Sequence, residues 1–337
     1  MMKKVAFTLM KTVTVLSLSF AIGCKKMPVM ANPDSTNPTV YVAGFEKNAN
    51  GLGIAKYCKD GTQVNLSDSF DAHPSSIYVV GSDVYVAGNG YTAGNSVAKY
   101  WKNGESINLP DSSSYATYAT SIYVSGSDVY VAGYGFTSGI SVAKYWKNGV
   151  QVNLTDGSTD AEASSIFVSG NDVYVEGEEN YTAKYWKNSK PASLSLSGGQ
   201  SAAFSVFVSG NDAYVAGFEG TTAKYWKNGT VVNLSSGGLY DAAVYSIYVS
   251  GSNVYAAGYD DGGIAEYWKN DTAISLSDSS TNAYGTSISV SGNDVYVAGY
   301  EYDPNSKKEV AKYWKNGTAV NLTDDTKDGY AEGIFVK

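Results

Sequence analysis

"GYAEGIFVK" (residues 329–337) ends the chain, and the reading of its last five letters decides the fold. The same phrase stands elsewhere in longer form. "SIYVSGSDVYVAG" (121–133) and "SIFVSGNDVYVEG" (165–177) run on through a turn into a second apolar stretch. "GIFVK" has no second stretch after it, and "TVYVAG" (39–44) is a second stretch with no first one before it. The two fragments are complementary halves of one hairpin, so strands from opposite ends of the chain are expected to pair.

The sequence between them repeats the same unit. "AKYWKN" or a close variant occurs seven times, and its aromatic column reads Cys58, Trp101, Trp146, Trp186, Trp226, Trp268 and Trp314, at spacings of 40 to 46 residues. A "VYVAG"-like run precedes each copy and ends at Gly44, Gly88, Gly133, Gly177, Gly217, Gly258 or Gly299. A "VNL"-like run follows, and a "SIYVSG"-like run begins at Ile77, Ile122, Ile166, Val206, Ile247, Ile288 and Ile334. With the runs lettered A (SIYVSG), B (VYVAG), C (AKYWKN) and D (VNL), each unit carries four short β-runs in a period typical of propeller blades. Asn-Gly at 103–104, 148–149, 228–229 and 316–317 separates C from D and signals a tight hairpin.

A lone meander cannot bury both faces, whereas a ring of meanders covers each with its neighbours. The expected fold is all-β, a seven-bladed β-propeller of four-stranded antiparallel blades over residues 39–337. Pairing of the N- and C-terminal strands in blade one closes it. The tryptophan column is expected to pack between blades, with Cys58 a small buried apolar residue in the same slot. Strand D is expected at the outer edge, with Asn65, Asn108, Asn153, Asn233 and Asn321 facing outward.

Comparing copies within the chain locates a candidate site. The A–B and C–D connections have constant length, whereas the B–C loops vary from 5 to 11 residues and the D–A stretches also vary. Both variable connections lie on one rim because the strands alternate in direction, and function concentrates in such loops. Four positions before each A-strand start stand His73, Tyr118, Glu162, Ala202, Ala243, Tyr284 and Tyr330. Directly after each B-strand glycine stand Phe45, Asn89, Tyr134, Glu178, Phe218, Tyr259 and Tyr300. The candidate binding rim is Phe45, His73, Tyr118, Tyr134, Glu162, Phe218, Tyr259, Tyr284, Tyr300 and Tyr330, a mixture that suits one composite pocket better than seven equal ones. The competing reading wedges the aromatics between blades and leaves the rest solvated.

Composition narrows the ligand. All 24 basic side chains are lysine, and the formal charge is −8. Without a guanidinium fork or a basic footprint, phosphate and nucleic-acid ligands are disfavoured. No catalytic set is expected: His73, the one imidazole, stands beside Pro74 and reads as a solvated loop residue, and no nucleophile elbow or zinc cluster is present. Asp71, Asp160, Asp241 and Asp328 share a column before strand A; an axial carboxylate ring is conceivable there, and Asx-turns are the favoured reading. "DDTKDGYAE" (324–332) is a weak calcium-loop pattern. No cofactor or metal is expected.

Residues 1–23 read as a leader: a basic "MMKK", then an apolar run too short to span a bilayer, ending at Ala21-Ile22-Gly23-Cys24. This segment resembles the bacterial lipoprotein signal, which implies palmitate-type lipidation of Cys24 and a membrane-anchored protein of the cell envelope, extracytoplasmic, at the outer membrane or cell surface. An ordinary secretory peptide cut after Ala31 is the alternative. Residues 24–38 then form a flexible tether rich in proline. With Cys24 acylated, Cys58 has no intrachain partner and no internal disulfide is expected.

The units over 39–337 resemble bacterial repeat-type β-propellers, and their "W-x-N-G…L" cadence is similar to extracellular HAF-type repeats. The resemblance implies architecture and brings no catalytic motif. The resulting expectation is a lipid-anchored binding or scaffold propeller, not an enzyme, that presents its variable rim to a glycan, peptide or protein partner and binds no nucleic acid. A metal-dependent hydrolase or lyase using the aspartate column is the alternative.

Overall fold

The computed structural model describes residues 38–66, 71–92, 95–111, 116–192, 194, 196–235, 241–260 and 262–337. The leader, the tether up to residue 37 and Cys24 lie outside the described residues. All regular structure among the described residues is β, arranged as seven four-stranded antiparallel sheets. Six sheets are continuous in sequence, with strand A at one edge and strand D at the other. The seventh, blade 1, is ordered Gly329–Val336, Val40–Lys47, Gly53–Lys59, Thr62–Asn65. The A strands contact one another in cyclic order, blade 7 to blade 1 and blade 1 to blade 2 included, so the ring is closed.

Closure works as the sequence predicts. Val40 pairs with Val336, Tyr41 with Phe335 and Val42 with Ile334, and after a one-residue bulge Phe45 pairs with Tyr330. Thr39 and Lys337 exchange both backbone hydrogen bonds, at 2.7 and 3.0 Å. The bulge recurs at the same place in every continuous blade, for example between Ala163 and Ser165. It exists because strand B brings a glycine against strand A there. A Cβ on Gly133 would lie 1.9 Å from the Tyr118 carbonyl oxygen, so only glycine permits the approach.

The blades hold one another through the tryptophan column. Trp101, Trp146, Trp226, Trp268 and Trp314 are all but fully buried. Trp146, for instance, packs with Tyr85, Ala87 and Ala98 of the preceding blade. Removing such a ring typically costs about 3–5 kcal/mol. Blade 1 carries Cys58 in this slot, and a cavity of about 20 Å³ beside it marks the missing indole. Cys58 is buried as expected. Strand D is the outer edge, with its asparagines exposed and Leu66, Leu109, Leu276 and Leu322 buried.

Two repeated polar devices lock the geometry. Near the axis, the strand-A serine of each blade accepts the backbone N–H of the next: Ile122 to Ser76 (3.4 Å), Ile166 to Ser121 (3.4 Å), Val206 to Ser165 (3.3 Å), Ile247 to Ser205 (3.1 Å), Ile288 to Ser246 (3.1 Å) and Ile334 to Ser287 (3.1 Å). At the step from blade 1 to blade 2 the serine is replaced by Gly333, and that hydrogen bond is missing.

The second device sits on the rim of constant loop length. There an A–B turn aspartate pairs with the C-strand lysine, as Asp172 does with Lys187 (2.8 Å), and accepts from the C–D turn asparagine, here Asn188 (2.8 Å). Asp83, Asp128, Asp212 and Asp294 make the same pair of contacts. Both turns must keep their length for these groups to meet, which explains the constant spacing. Asn103 and Gly104 both take positive φ, 53° and 91°, as the Asn-Gly hairpin requires.

Two stability outcomes are expected. Deleting residues 333–337 removes half of the innermost strand of blade 1 (Gly329–Val336) and should abolish the cooperative thermal transition or lower it drastically, rather than trimming a frayed tail. Gly333→Ser should supply the absent bond, about 1 kcal/mol, and raise Tm by about 2 °C in a calorimetric scan. An added Cβ there meets Ile77 N at 3.1 Å, a contact the serines of the other blades already accommodate.

Candidate functional site

The two variable-rim columns turn out to be partners. Cross-strand pairing joins Phe45 with Tyr330, His73 with Asn89, Tyr118 with Tyr134, Glu162 with Glu178, Ala202 with Phe218, Ala243 with Tyr259 and Tyr284 with Tyr300. Each pair sits just above the glycine and bulge that fix its blade, so the scaffold positions it on rigid strand backbone.

From these pairs grows a continuous belt of ring contacts. It runs Tyr91–His73 (5.6 Å), His73–Phe45 (4.3 Å), Phe45–Tyr330 (4.9 Å), Tyr330–Tyr300 (4.9 Å) and Tyr300–Tyr284 (5.4 Å). It continues through Tyr284–Tyr259 (5.2 Å), Tyr259–Tyr245 (5.7 Å), Tyr245–Phe204 (5.2 Å) and Phe204–Phe218 (5.8 Å). Tyr118, Tyr134 and Phe136 form a separate cluster in blade 3. All of these rings are partly exposed, which combines the two readings of the sequence: they wedge against one another across blades and still present surface.

Seven of the ten predicted rim residues therefore lie on one belt, Tyr118 and Tyr134 stand beside it, and Glu162 interrupts it. Sequence reading missed Tyr91, Phe204 and Tyr245. The last two occupy the bulge column, which elsewhere holds Ser75, Thr120, Ser164 and Thr286, and that change of residue type was the available signal.

His73 is not a solvated loop residue. It lies in a strand (Ala72–Val80), stacks on Phe45, and its Nε2–H donates to Asp71 Oδ1 at 2.9 Å. Gly53 leaves room for the imidazole, since a Cβ there would lie 2.5 Å from Nε2. The aspartate column is likewise not an axial ring. Asp71 accepts from Gly53 N–H (2.6 Å), Asp160 from Ser141 N–H (2.9 Å) and Asp328 from Glu309 N–H (3.2 Å). Each carboxylate so fastens its blade to strand C of the preceding one. These are cross-blade clamps rather than the expected local Asx-turns. Among the described residues no three His, Cys, Asp or Glu side chains are grouped to hold a metal ion. Asp324 accepts from Thr326 N–H and Oγ1–H, which makes the "DDTKDGYAE" stretch a turn.

Electrostatically the rim is divided. The C-strand lysines are buried in ion pairs: Lys56–Glu46 (2.6 Å), Lys144–Asp111 (2.8 Å), Lys224–Glu219 (2.8 Å) and Lys312–Glu301. Glu162, Glu176, Glu178 and Glu332 are among the glutamates with no lysine partner among the described residues. Glu162 and Glu178 face each other across one strand pair, and burial holds both carboxyls above the usual range, with each other's charge adding to Glu162. Glu332 holds the bulge position of blade 1. Its side chain is only partly exposed, and burial pushes its carboxyl to about 7. Glu176 is fully buried with neither oxygen hydrogen-bonded, at a position that is alanine in the six other blades; burial raises it well above the usual range.

The sign of the pH dependence follows. A carboxyl whose folded pKa exceeds its unfolded value holds its proton longer in the native state, so stability is highest in acid and falls as pH rises through the window between the two. For Glu332 that window runs from about 4.5 to about 7. Glu332→Gln should remove up to about 3 kcal/mol of this loss, seen as a flatter Tm-against-pH curve between pH 5 and 8 by calorimetry. Glu176→Ala, which restores the residue of the other blades, should raise Tm at pH 8 by relieving about 1–3 kcal/mol of desolvation.

No family model matches the chain, and no curated protein does. Among solved structures, the computationally designed Ika8 protein is similar over 89% of this chain and 91% of its own, at 19% identity and TM-score 0.49. The extracellular domain of the putative hybrid two-component system BT4673 from B. thetaiotaomicron is similar over 78% of this chain and 37% of its own, at 10% identity and TM-score 0.47.

Proposed function

We propose that this chain is a binding propeller whose ligand, a glycan, peptide or protein, docks on the variable rim around the axis. The observation that carries the reading is the continuous, partly exposed aromatic belt, built on backbone fixed by the glycine and bulge of each blade. Stacking surfaces held this rigidly lose little entropy on binding. Three of the four aspartates that a hydrolase or lyase would use, Asp71, Asp160 and Asp328, are engaged by backbone amides of neighbouring blades, which favours binding over the catalytic reading. On this reading Cys24 carries the lipid that holds the propeller at the cell envelope, outside the cytoplasm.

The rim is tested by binding. Glycan arrays and affinity capture from envelope extracts should return a ligand whose affinity drops at least about tenfold in the Tyr259→Ala/Tyr284→Ala/Tyr300→Ala variant. Silence in both assays, or a ligand indifferent to those tyrosines, overturns the reading. The anchor is tested by palmitate labelling, which should mark the wild-type chain and not Cys24→Ala. The chain has only two cysteines, so an intrachain disulfide at Cys58 and an acyl group on Cys24 exclude each other. An unlabelled chain two hydrogens short in mass would remove the anchor.

A further inference from the structure

The aromatic belt ends at Phe218, and the place where it ends has its own chemistry. At three steps around the ring, the side chain after the B-strand glycine of one blade meets the strand-A column residue of the next. Phe45 lies on His73, Tyr259 on Tyr284 and Tyr300 on Tyr330. In blade 4 that side chain is Glu178, and the corresponding residue of blade 5 is Ala202. A carboxylate and a methyl group stand where those three steps have ring contacts, which leaves a notch in the belt. Tyr134 bounds it on one side, close enough to feel the charges of both Glu162 and Glu178, and Phe218 and Phe204 bound it on the other.

The charge of the notch is unbalanced in a way the fold does not require. Glu46, Glu179, Glu219 and Glu301 on the same rim each have a lysine, whereas Glu162 and Glu178 have none among the described residues. Like charges directly across a strand pair are destabilising. Beneath them Glu176 occupies the same face of strand B, two residues before Glu178, fully buried and with both oxygens unpartnered. A metal ion is not the natural counterpart, since no three ligands are grouped. A neutral sugar would leave the repulsion in place. A cation flanked by aromatic faces would offset it and gain from the rings as well.

Resting on the rim reading, we propose that this notch, floored by Glu162 and Glu178 and walled by Tyr134 and Phe218, holds an organic ammonium group: a lysine ε-amine or a quaternary amine carried by the ligand. The test is titration of the full chain with butylammonium, tetramethylammonium, and the uncharged 1-butanol and tert-butanol. An ammonium ion should bind and the alcohols should not. Glu162→Gln and Glu178→Gln should each weaken it about tenfold, and binding should weaken on acidification as the carboxylates protonate. Preference for butylammonium assigns a lysine, and preference for tetramethylammonium a quaternary amine. The glutamine variants should melt no lower than wild type, so lost binding reports the site rather than the fold. Binding of neither ion, equal binding of the alcohols, or indifference to both glutamine substitutions overturns the proposal. A tyrosine-dependent rim ligand that ignores both substitutions sinks the notch while leaving the rim reading standing.

Discussion

The constraint beneath this structure is that a four-stranded meander cannot cover its own faces. Each blade is stable only between two others, so the ring exists as a whole or hardly at all. Three inter-blade devices answer this constraint at different radii. Serine Oγ atoms accept the neighbour's N–H near the axis, tryptophans fill the middle, and the Asp71, Asp160 and Asp328 carboxylates clamp loops to the preceding blade. The deviations collect at one seam. Cys58, Gly333 and Glu332 all belong to blade 1, where the sheet is sewn from two distant parts of the chain. Backbone pairing from Thr39 to Lys337 keeps there the same A–B ladder as the other blades have, although the seam lacks the indole and the hydroxyl.

The same division of labour explains the charge. Lysines at the constant-length rim are committed to A–B turn aspartates, and most of the buried lysines near the variable rim are committed to glutamates. Buried pairs of this kind add little net stability, but losing one partner would be costly, so they fix geometry rather than strength. The negative charge that survives on the variable rim is therefore concentrated in the glutamates without lysines, next to the belt. An acidic composition has thereby become an acidic place.

Much of this was legible in the sequence because propeller geometry is written in repeats. Period, turn residues and the complementary fragments at 39–44 and 333–337 gave blade number, strand order and closure, and constant against variable loop lengths separated the two rims. Less legible was whatever depends on which column faces which. The two rim columns could be read separately, but their cross-strand pairing emerges only once the bulge sets the register. His73 looked like a loop residue because Pro74 follows it, yet Pro74 lies at the bulge, where a strand tolerates proline. The aspartates read as local Asx-turns, but the backbone groups that Asp71, Asp160 and Asp328 accept from belong to another blade. Glu176 was visible all along as the one acid in an alanine column, and only its burial gave it meaning.

Those glutamates also say something about how function sits on such a scaffold. A buried carboxyl with no partner, a like-charged pair across strands and a third carboxyl with a raised pKa each work against folding at neutral pH. Seven inter-blade interfaces supply enough cooperative stability for the ring to carry them, and none of the four glutamates lies in a serine, tryptophan or aspartate contact that holds the blades together. Three of the four stand in blade 4, at the break in the aromatic belt. Residues that destabilise a fold without serving its packing are expected where a ligand repays the cost, and a cation beside Glu162 and Glu178 would convert their mutual repulsion into attraction for the same guest.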